Sequence, residues 1–170
     1  MTKEKIIEEL QNGFDEVITT AQPVSDSVFF KRPDSKWSIA ENLEHLILAI
    51  KPLNLAFRLP KISLLYFGTP NRPIRNYNEL VLKYKAKLDS GGRASSAFVP
   101  KLKLTDKQAL IVSFKEENKK FVSSLEKWSE ADLDRYLLPH PLLGKLYLRE
   151  MLYFKIYHTQ HHLRSLERLL

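Results

Sequence analysis

The chain has no cysteine among its 170 residues. That absence excludes disulfides, thiolate metal sites and a cysteine nucleophile, and it is compatible with a reducing compartment. Long hydrophobic runs are also missing. The most apolar stretch, 43–67, is interrupted by Lys51, Asn54, Arg58 and Lys61 and by Pro52 and Pro60, so no membrane-spanning helix is expected. "MTKEKIIEEL" lacks the uninterrupted apolar region of a secretory signal, which makes the cytoplasm the expected location. Blocks of like charge are absent as well. The net charge is +7, from 27 Lys and Arg against 20 Asp and Glu, but the basic residues are scattered and do not interleave with aromatics. Nucleic acid is therefore not the expected partner, and a basic but ordinary surface is.

What is present is globular composition, 44% hydrophobic and 28% charged, at a length that suits one domain over residues 1–170. Such a chain can bury a core without metal or disulfide staples, so any metal would serve function before structure.

The apolar spacing predicts four long helices. Ile6, Ile7, Leu10, Phe14, Val17, Ile18 and Ala21 recur at steps of three and four between residues 2 and 21. Ser38 followed by Glu41 reads as a capping box opening a second helix through Leu43, Leu46, Ile47 and Ile50, which Pro52 should end or kink. Residues 59–78 carry Pro60, Gly68, Pro70 and Pro73 and read as an irregular crossover, followed by a short helix over 78–88. "DSGGRASSAFVP" has the composition of a mobile loop. Thr105 with Gln108 reads as a second box, opening a helix through Leu110, Ile111, Phe114, Phe121, Val122 and Leu125, with Asn118 on the same stripe in need of a partner. A last helix runs from about Tyr147 to the end. No sustained alternation points to a sheet. The predicted fold class is all-α, a four-helix bundle with one long crossover.

Chemistry concentrates in the histidines. His158 and His162 stand four apart, close enough on one helical face for both imidazoles to reach one ion. They share a stripe with Met151, Phe154, Ser165 and Leu169, beside a second apolar stripe of Leu152, Ile156, Leu163 and Leu166. A helix apolar over so wide an arc is buried on more than one side, and a buried imidazole needs a partner. His161 falls at the edge of the stripe and is expected to be exposed. His45 lies off the main stripe of its helix, with Glu41, Leu48, Ala49 and Pro52; that face can be solvent or can look across the bundle. Three neutral imidazoles with open positions would make a catalytic type of metal site. The capping box accounts for Glu41, His140 between two prolines reads as a turn residue, Trp37 and Trp128 read as core or loop anchors, and Arg164 and Arg168 read as solvated residues at the negative end of the last helix.

With these residues in view, the chain resembles the DinB-like, YfiT-related family of metalloenzymes. "WSIAENLEHL" is similar to that family's second-helix opening, whose ligating histidine corresponds to His45. "PHPLLGKLYLREMLYFKIYHTQHHLRSLERL" is similar to its last helix, whose two ligating histidines correspond to His158 and His162. Tyr147 departs from the pattern, standing where relatives more often carry a small capping side chain. The resemblance implies a four-helix bundle, a divalent metal such as zinc or nickel on those three histidines, and frequently a homodimer. It also implies a transferase that moves a low-molecular-weight thiol, such as bacillithiol, mycothiol or glutathione, onto a small-molecule electrophile, or a thiol-dependent isomerisation. A metal-dependent hydrolase and a non-catalytic stress-response binding module are the alternatives. Without cysteine in the chain, any thiol must be a cosubstrate.

Overall fold

The computed structural model describes residues 1–33 and 36–170. Asp34 and Ser35, in the middle of the polar loop "KRPDSK", lie outside the described residues. Helix α1 spans Lys3–Ala21, with the Thr2 hydroxyl accepting from the Lys5 amide at 3.3 Å. It buries Ile6, Leu10, Phe14, Val17 and Ala21 on one stripe, as their spacing predicts. A single turn, α2 (Asp26–Phe29), plugs Phe29 into the core.

Helix α3, Ile39–Arg58, begins with both halves of the expected capping box: Glu41 N–H to Ser38 Oγ at 3.1 Å and Ser38 N–H to the Glu41 carboxylate at 2.8 Å. Of the two outcomes expected at Pro52, an end or a kink, the helix does not end there but continues for six more residues. Proline removes one backbone donor and crowds the preceding turn. Beyond it, Leu53, Ala56 and Phe57 are buried, the Trp128 indole donates to the Phe57 carbonyl at 3.1 Å, and Asn54 donates to the Glu117 carbonyl at 2.9 Å. These tertiary gains outweigh the local cost.

The crossover holds a 3-10 helix, Lys61–Phe67, and then α4, Tyr77–Asp89, capped by an Asn76–Glu79 box. The glycine-rich segment after α4 is tied down rather than loose. It forms a 3-10 turn at Ser96–Phe98, and the following amides of Lys101, Leu102 and Lys103 all donate to the buried Glu44 carboxylate at 2.5–3.0 Å. Helix α5, Lys107–Leu125, is capped by Asp106, which accepts from Ala109 N–H at 2.6 Å, and not by the Thr105–Gln108 pair. The better acceptor, one residue later, prevails. Asn118 finds half of its expected partner: its Nδ2 donates to the Phe114 carbonyl at 2.9 Å, while its oxygen has none among the described residues.

A second departure follows the short helix α6, Glu130–Leu133. Strands β1 (Leu137–His140) and β2 (Gly144–Tyr147) pair antiparallel, Leu137 opposite Tyr147 and His140 opposite Gly144. Four residues per strand are too few to show period two, and Gly144 closes the turn at φ 78°. Helix α7, Leu148–Glu167, follows at once. The Tyr147 side chain does not cap it; instead Glu150 accepts from the Tyr147 amide at 3.2 Å. Helices α1, α3, α5 and α7 form the four-helix bundle around one continuous apolar cluster, and α4 lies against α7. None of the described helices is long and apolar enough to cross a membrane.

Candidate metal centre

His45, on the second turn of α3, and His158 and His162, on successive turns of α7, meet inside the bundle across 113 residues of sequence. All three are buried. His158 Nε2 lies 3.0 Å from His45 Nε2 and 3.2 Å from His162 Nε2. Every candidate ligand atom is within 4.8 Å of the others. Of the two settings open to the face that carries His45, solvent or the bundle interior, the structure takes the interior. His161 is half-buried beside the cluster, its ring edge-on to His162 with centroids 5.2 Å apart, so it is less exposed than its position on the stripe suggests.

The outer nitrogens fix the inner ones. His45 Nδ1–H donates to the Phe98 carbonyl at 2.7 Å, and His162 Nδ1–H donates to Asn42 Oδ1 at 2.7 Å. The Asn42 amide is itself oriented, because its Nδ2 donates to the Ser38 carbonyl at 2.8 Å. Both of these histidines therefore turn an Nε2 lone pair inward. His158 Nε2 faces both, and a single N–H could satisfy only one of them. Burial pushes the His45 imidazole down to about 4 and holds His158 and His162 well below the ordinary histidine range, with the neighbouring imidazoles and Lys155 adding to the effect. Two or three lone pairs thus converge with too few protons to share among them.

A divalent cation fits this arrangement. Imidazoles bound at about 2.0–2.1 Å in a tetrahedral array stand roughly 3.3–3.4 Å apart, close to the spacings seen. Backbone and amide acceptors behind two of the rings are the outer support that metal-ligating histidines usually have. His158 differs, since its Nδ1 is buried with no partner among the described residues. The rings are held by aromatic neighbours: Trp37 stacks on His162 at 6.1 Å and Phe154 on His158 at 4.9 Å.

A family model for the DinB superfamily matches residues 8–166. The chain belongs to the DinB superfamily. Among solved structures, this DinB-superfamily chain is similar to YfiT from Bacillus subtilis, described as a probable metal-dependent hydrolase with an unusual four-helix bundle topology; identity is 16%, the TM-score 0.65, and the match covers 98% of this chain and 85% of YfiT. It is also similar to the colibactin self-resistance protein ClbS, solved in complex with a dsDNA, at 19% identity and TM-score 0.61 over 99% of this chain and 94% of ClbS. No curated protein matches the chain. At these identities the likenesses establish the fold.

The triad opens onto a cavity of about 750 Å³ whose walls include Ala49, Leu53, Tyr84, Leu88, Met151 and Phe154. No aspartate or glutamate lines it among the described residues. Sequence reasoning missed three supporting residues. Asn42 is masked by its place on a buried stripe, Trp37 reads as a loop anchor, and Phe98 acts through its carbonyl, which any residue carries. Glu41 has the structural role expected of it. Glu44, the neighbour of His45, has a role the sequence did not suggest, anchoring the segment that brings the Phe98 carbonyl to His45.

Proposed function

We propose that this protein is a divalent-metal-dependent enzyme, with zinc or nickel on His45, His158 and His162, that transfers a low-molecular-weight thiol to a small electrophile. The observation that carries the reading is the convergence of three neutral imidazole Nε2 atoms at one wall of a largely apolar cavity whose described lining holds no carboxylate. A cation bound there would supply Lewis acidity, lowering the pKa of a thiol or water beside it toward neutrality. The chain's own residues do the rest: Phe98 and Asn42 orient two of the imidazoles, Trp37 and Phe154 hold the rings, and the apolar walls exclude bulk water. Because the chain has no cysteine, bacillithiol, mycothiol or glutathione would have to enter as cosubstrate. In the transfer, the sulfur forms its bond to an electrophilic carbon, the leaving group departs with the bonding pair, and the thiol proton passes to solvent.

Among the described lining residues no carboxylate stands ready as a base for water. A thiolate formed by pKa depression needs no separate base, whereas hydrolysis commonly uses a positioned carboxylate or histidine to move protons, and for that the described lining offers His140 and His161 but no carboxylate. Metal-dependent hydrolysis is the second reading, supported by the likeness to YfiT. The ClbS complex makes duplex DNA the partner that a non-catalytic reading would predict. A homodimer and a cytoplasmic location belong to the first reading.

Untagged protein loaded with zinc or nickel should turn over 1-chloro-2,4-dinitrobenzene only when a thiol is supplied. Hydrolysis of 4-nitrophenyl acetate without thiol would move the assignment to a hydrolase. Absence of both activities, together with salt-sensitive DNA binding by metal-free protein, would replace both enzymatic readings.

A further inference from the structure

His140 sits at the end of β1, in the loop between Pro139 and Pro141, and lines the same cavity as the triad. Its ring is bound from one side only. Nδ1 accepts two backbone hydrogen bonds, from Leu142 N–H and Leu143 N–H, both at 3.1 Å. A nitrogen that accepts two amides cannot carry a proton, so the neutral ring must hold its proton on Nε2. None of the described hydrogen bonds uses that Nε2–H. Burial pushes the imidazole down to about 4, in keeping with the neutral form.

The surroundings connect this ring to the metal centre. Phe154 stands between them, edge-on to His140 with centroids 4.2 Å apart and stacked on His158 at 4.9 Å. The two imidazoles are thus one aromatic ring apart along a single wall. Tyr84 packs edge-on against both Phe154 and His140, at 5.1 and 6.4 Å. The sequence reading of His140 as a turn residue accounts for Nδ1 and leaves Nε2 unexplained.

The cavity's charge decides what such a donor can meet. Its described lining contains Lys36, Arg93, Lys155 and Arg168 but no aspartate or glutamate, and none of these four basic residues takes part in a described salt bridge. An ammonium-bearing ligand would enter an apolar space with no counter-charge among the described lining residues, at a high desolvation cost. A ligand with an acceptor oxygen meets both a favourable field and a waiting donor.

We propose that His140 is a substrate-contacting residue whose Nε2–H donates to an acceptor oxygen, a carbonyl or carboxylate, of a largely apolar, neutral or anionic substrate held beside the three histidines. It acts as a donor only, because Nδ1 is committed to the turn and cannot take a proton without breaking it. The role parallels neutral histidines that polarise carbonyl groups elsewhere. This inference rests on the cavity being the substrate site of the function proposed above, but it does not depend on which nucleophile is used.

The test uses three probes with one apolar body: 4-phenylbutanoate, 4-phenylbutanamide and 4-phenylbutylammonium. Their binding is measured by titration calorimetry on zinc-loaded and on metal-free full-length protein. The carboxylate and the amide should bind and the ammonium should not. His140→Asn keeps an oxygen near the Nδ1 position for the turn amides but loses the Nε2 donor, and it should weaken both acceptor probes about tenfold, as expected for one buried hydrogen bond. His140→Gln places an amide N–H near Nε2 and should restore part of the loss. Zinc affinity should be unchanged in both variants. On the wild-type protein, nitrogen-15 correlation spectra should show the Nε2–H tautomer of His140, with that proton shifting downfield when the amide binds.

Unchanged binding in His140→Asn, equal binding of the ammonium, failure of both acceptor probes to bind, or an Nδ1–H tautomer would each overturn the proposal. If zinc never binds yet the acceptor probes still depend on His140, the metal reading fails and this one stands. If zinc binds and His140→Asn changes nothing, the reverse holds.

Discussion

The Asn42 side-chain oxygen accepts the Nδ1 proton of His162 at 2.7 Å, and the Asn42 amide nitrogen is spent on the Ser38 carbonyl at the start of the same helix. The box that starts α3 is thereby linked to the orientation of an imidazole on α7. Removing the acceptor should free the His162 ring to rotate and to change tautomer. Asn42→Ala is expected to weaken zinc binding roughly 10–100-fold, the usual loss when the outer partner of a ligating histidine is deleted. Competition with a fluorescent chelator measures it. An affinity within twofold of wild type would show that packing against Trp37 alone holds the ring.

Metal binding should depend on each of the three imidazoles and not on their neighbour His161. His45→Ala, His158→Ala and His162→Ala should each abolish stoichiometric metal at micromolar protein, since each leaves two of three donors. His161→Ala should retain it, because the His161 nitrogens are not part of the convergent set. Elemental analysis of untagged protein after dialysis distinguishes the four variants. Metal lost only in His161→Ala would make His161 a ligand and overturn the His158–His162 pair.

Much of this architecture is written in local pattern. The α1 stripe and the Ser38–Glu41 box are i, i+3 and i, i+4 relations, visible because their partners are near in sequence. The spacing of His158 and His162 is legible for the same reason. The approach of His45 is not, since the contact is made by the whole bundle. The same limit applies to Pro52, where a local rule against proline loses to the burial of Phe57 and Leu53 beyond it. It applies equally to the β1–β2 hairpin, whose strands are too short to carry a period, and to Glu150, whose partner Arg72 lies 78 residues away.

That ion pair carries its own prediction. Glu150 is fully buried at the first turn of α7, where it accepts from both Arg72 terminal nitrogens at 2.5–2.6 Å and from the Arg75 amide at 2.8 Å. Hydrogen bonds from Arg72 and from the Arg75 and Tyr147 amides hold its carboxyl below the usual carboxylate range against the opposing effect of burial. A depressed carboxylate contributes stability that is present above its unfolded pKa and lost as pH falls through its folded one. Glu150→Gln should destabilise the fold by about 3 kcal/mol at pH 7 in urea titrations, because Arg72 is left facing a neutral amide. The difference from wild type should shrink as the pH is taken below 4.5, toward the folded pKa of Glu150. A constant difference down to pH 3 would assign the effect to packing.

Lys155 makes the opposite case. It projects from α7 three residues before His158, is 1% exposed, and its Nζ has no hydrogen-bond partner among the described residues, lying 5.5 Å from the Phe14 ring. Burial alone pushes the amine down to about 7 from an ordinary value of 10.5. Between those two values the unfolded chain binds a proton that the folded chain does not, so this residue makes stability rise with pH across the window from 7 to 10.5. Below about 7 both states are protonated and the penalty is at its full size. Lys155→Met replaces the amine with an apolar chain of similar length and removes an unsatisfied buried donor. The variant should be more stable than wild type by about 1–3 kcal/mol at pH 7, and the gain should fall away as the pH approaches 10. Urea denaturation at pH 7, 8.5 and 10 checks both the sign and the trend. A variant less stable than wild type at pH 7 would show that the amine has a partner in solution, and that Lys155 belongs to the polar apparatus of the cavity it lines.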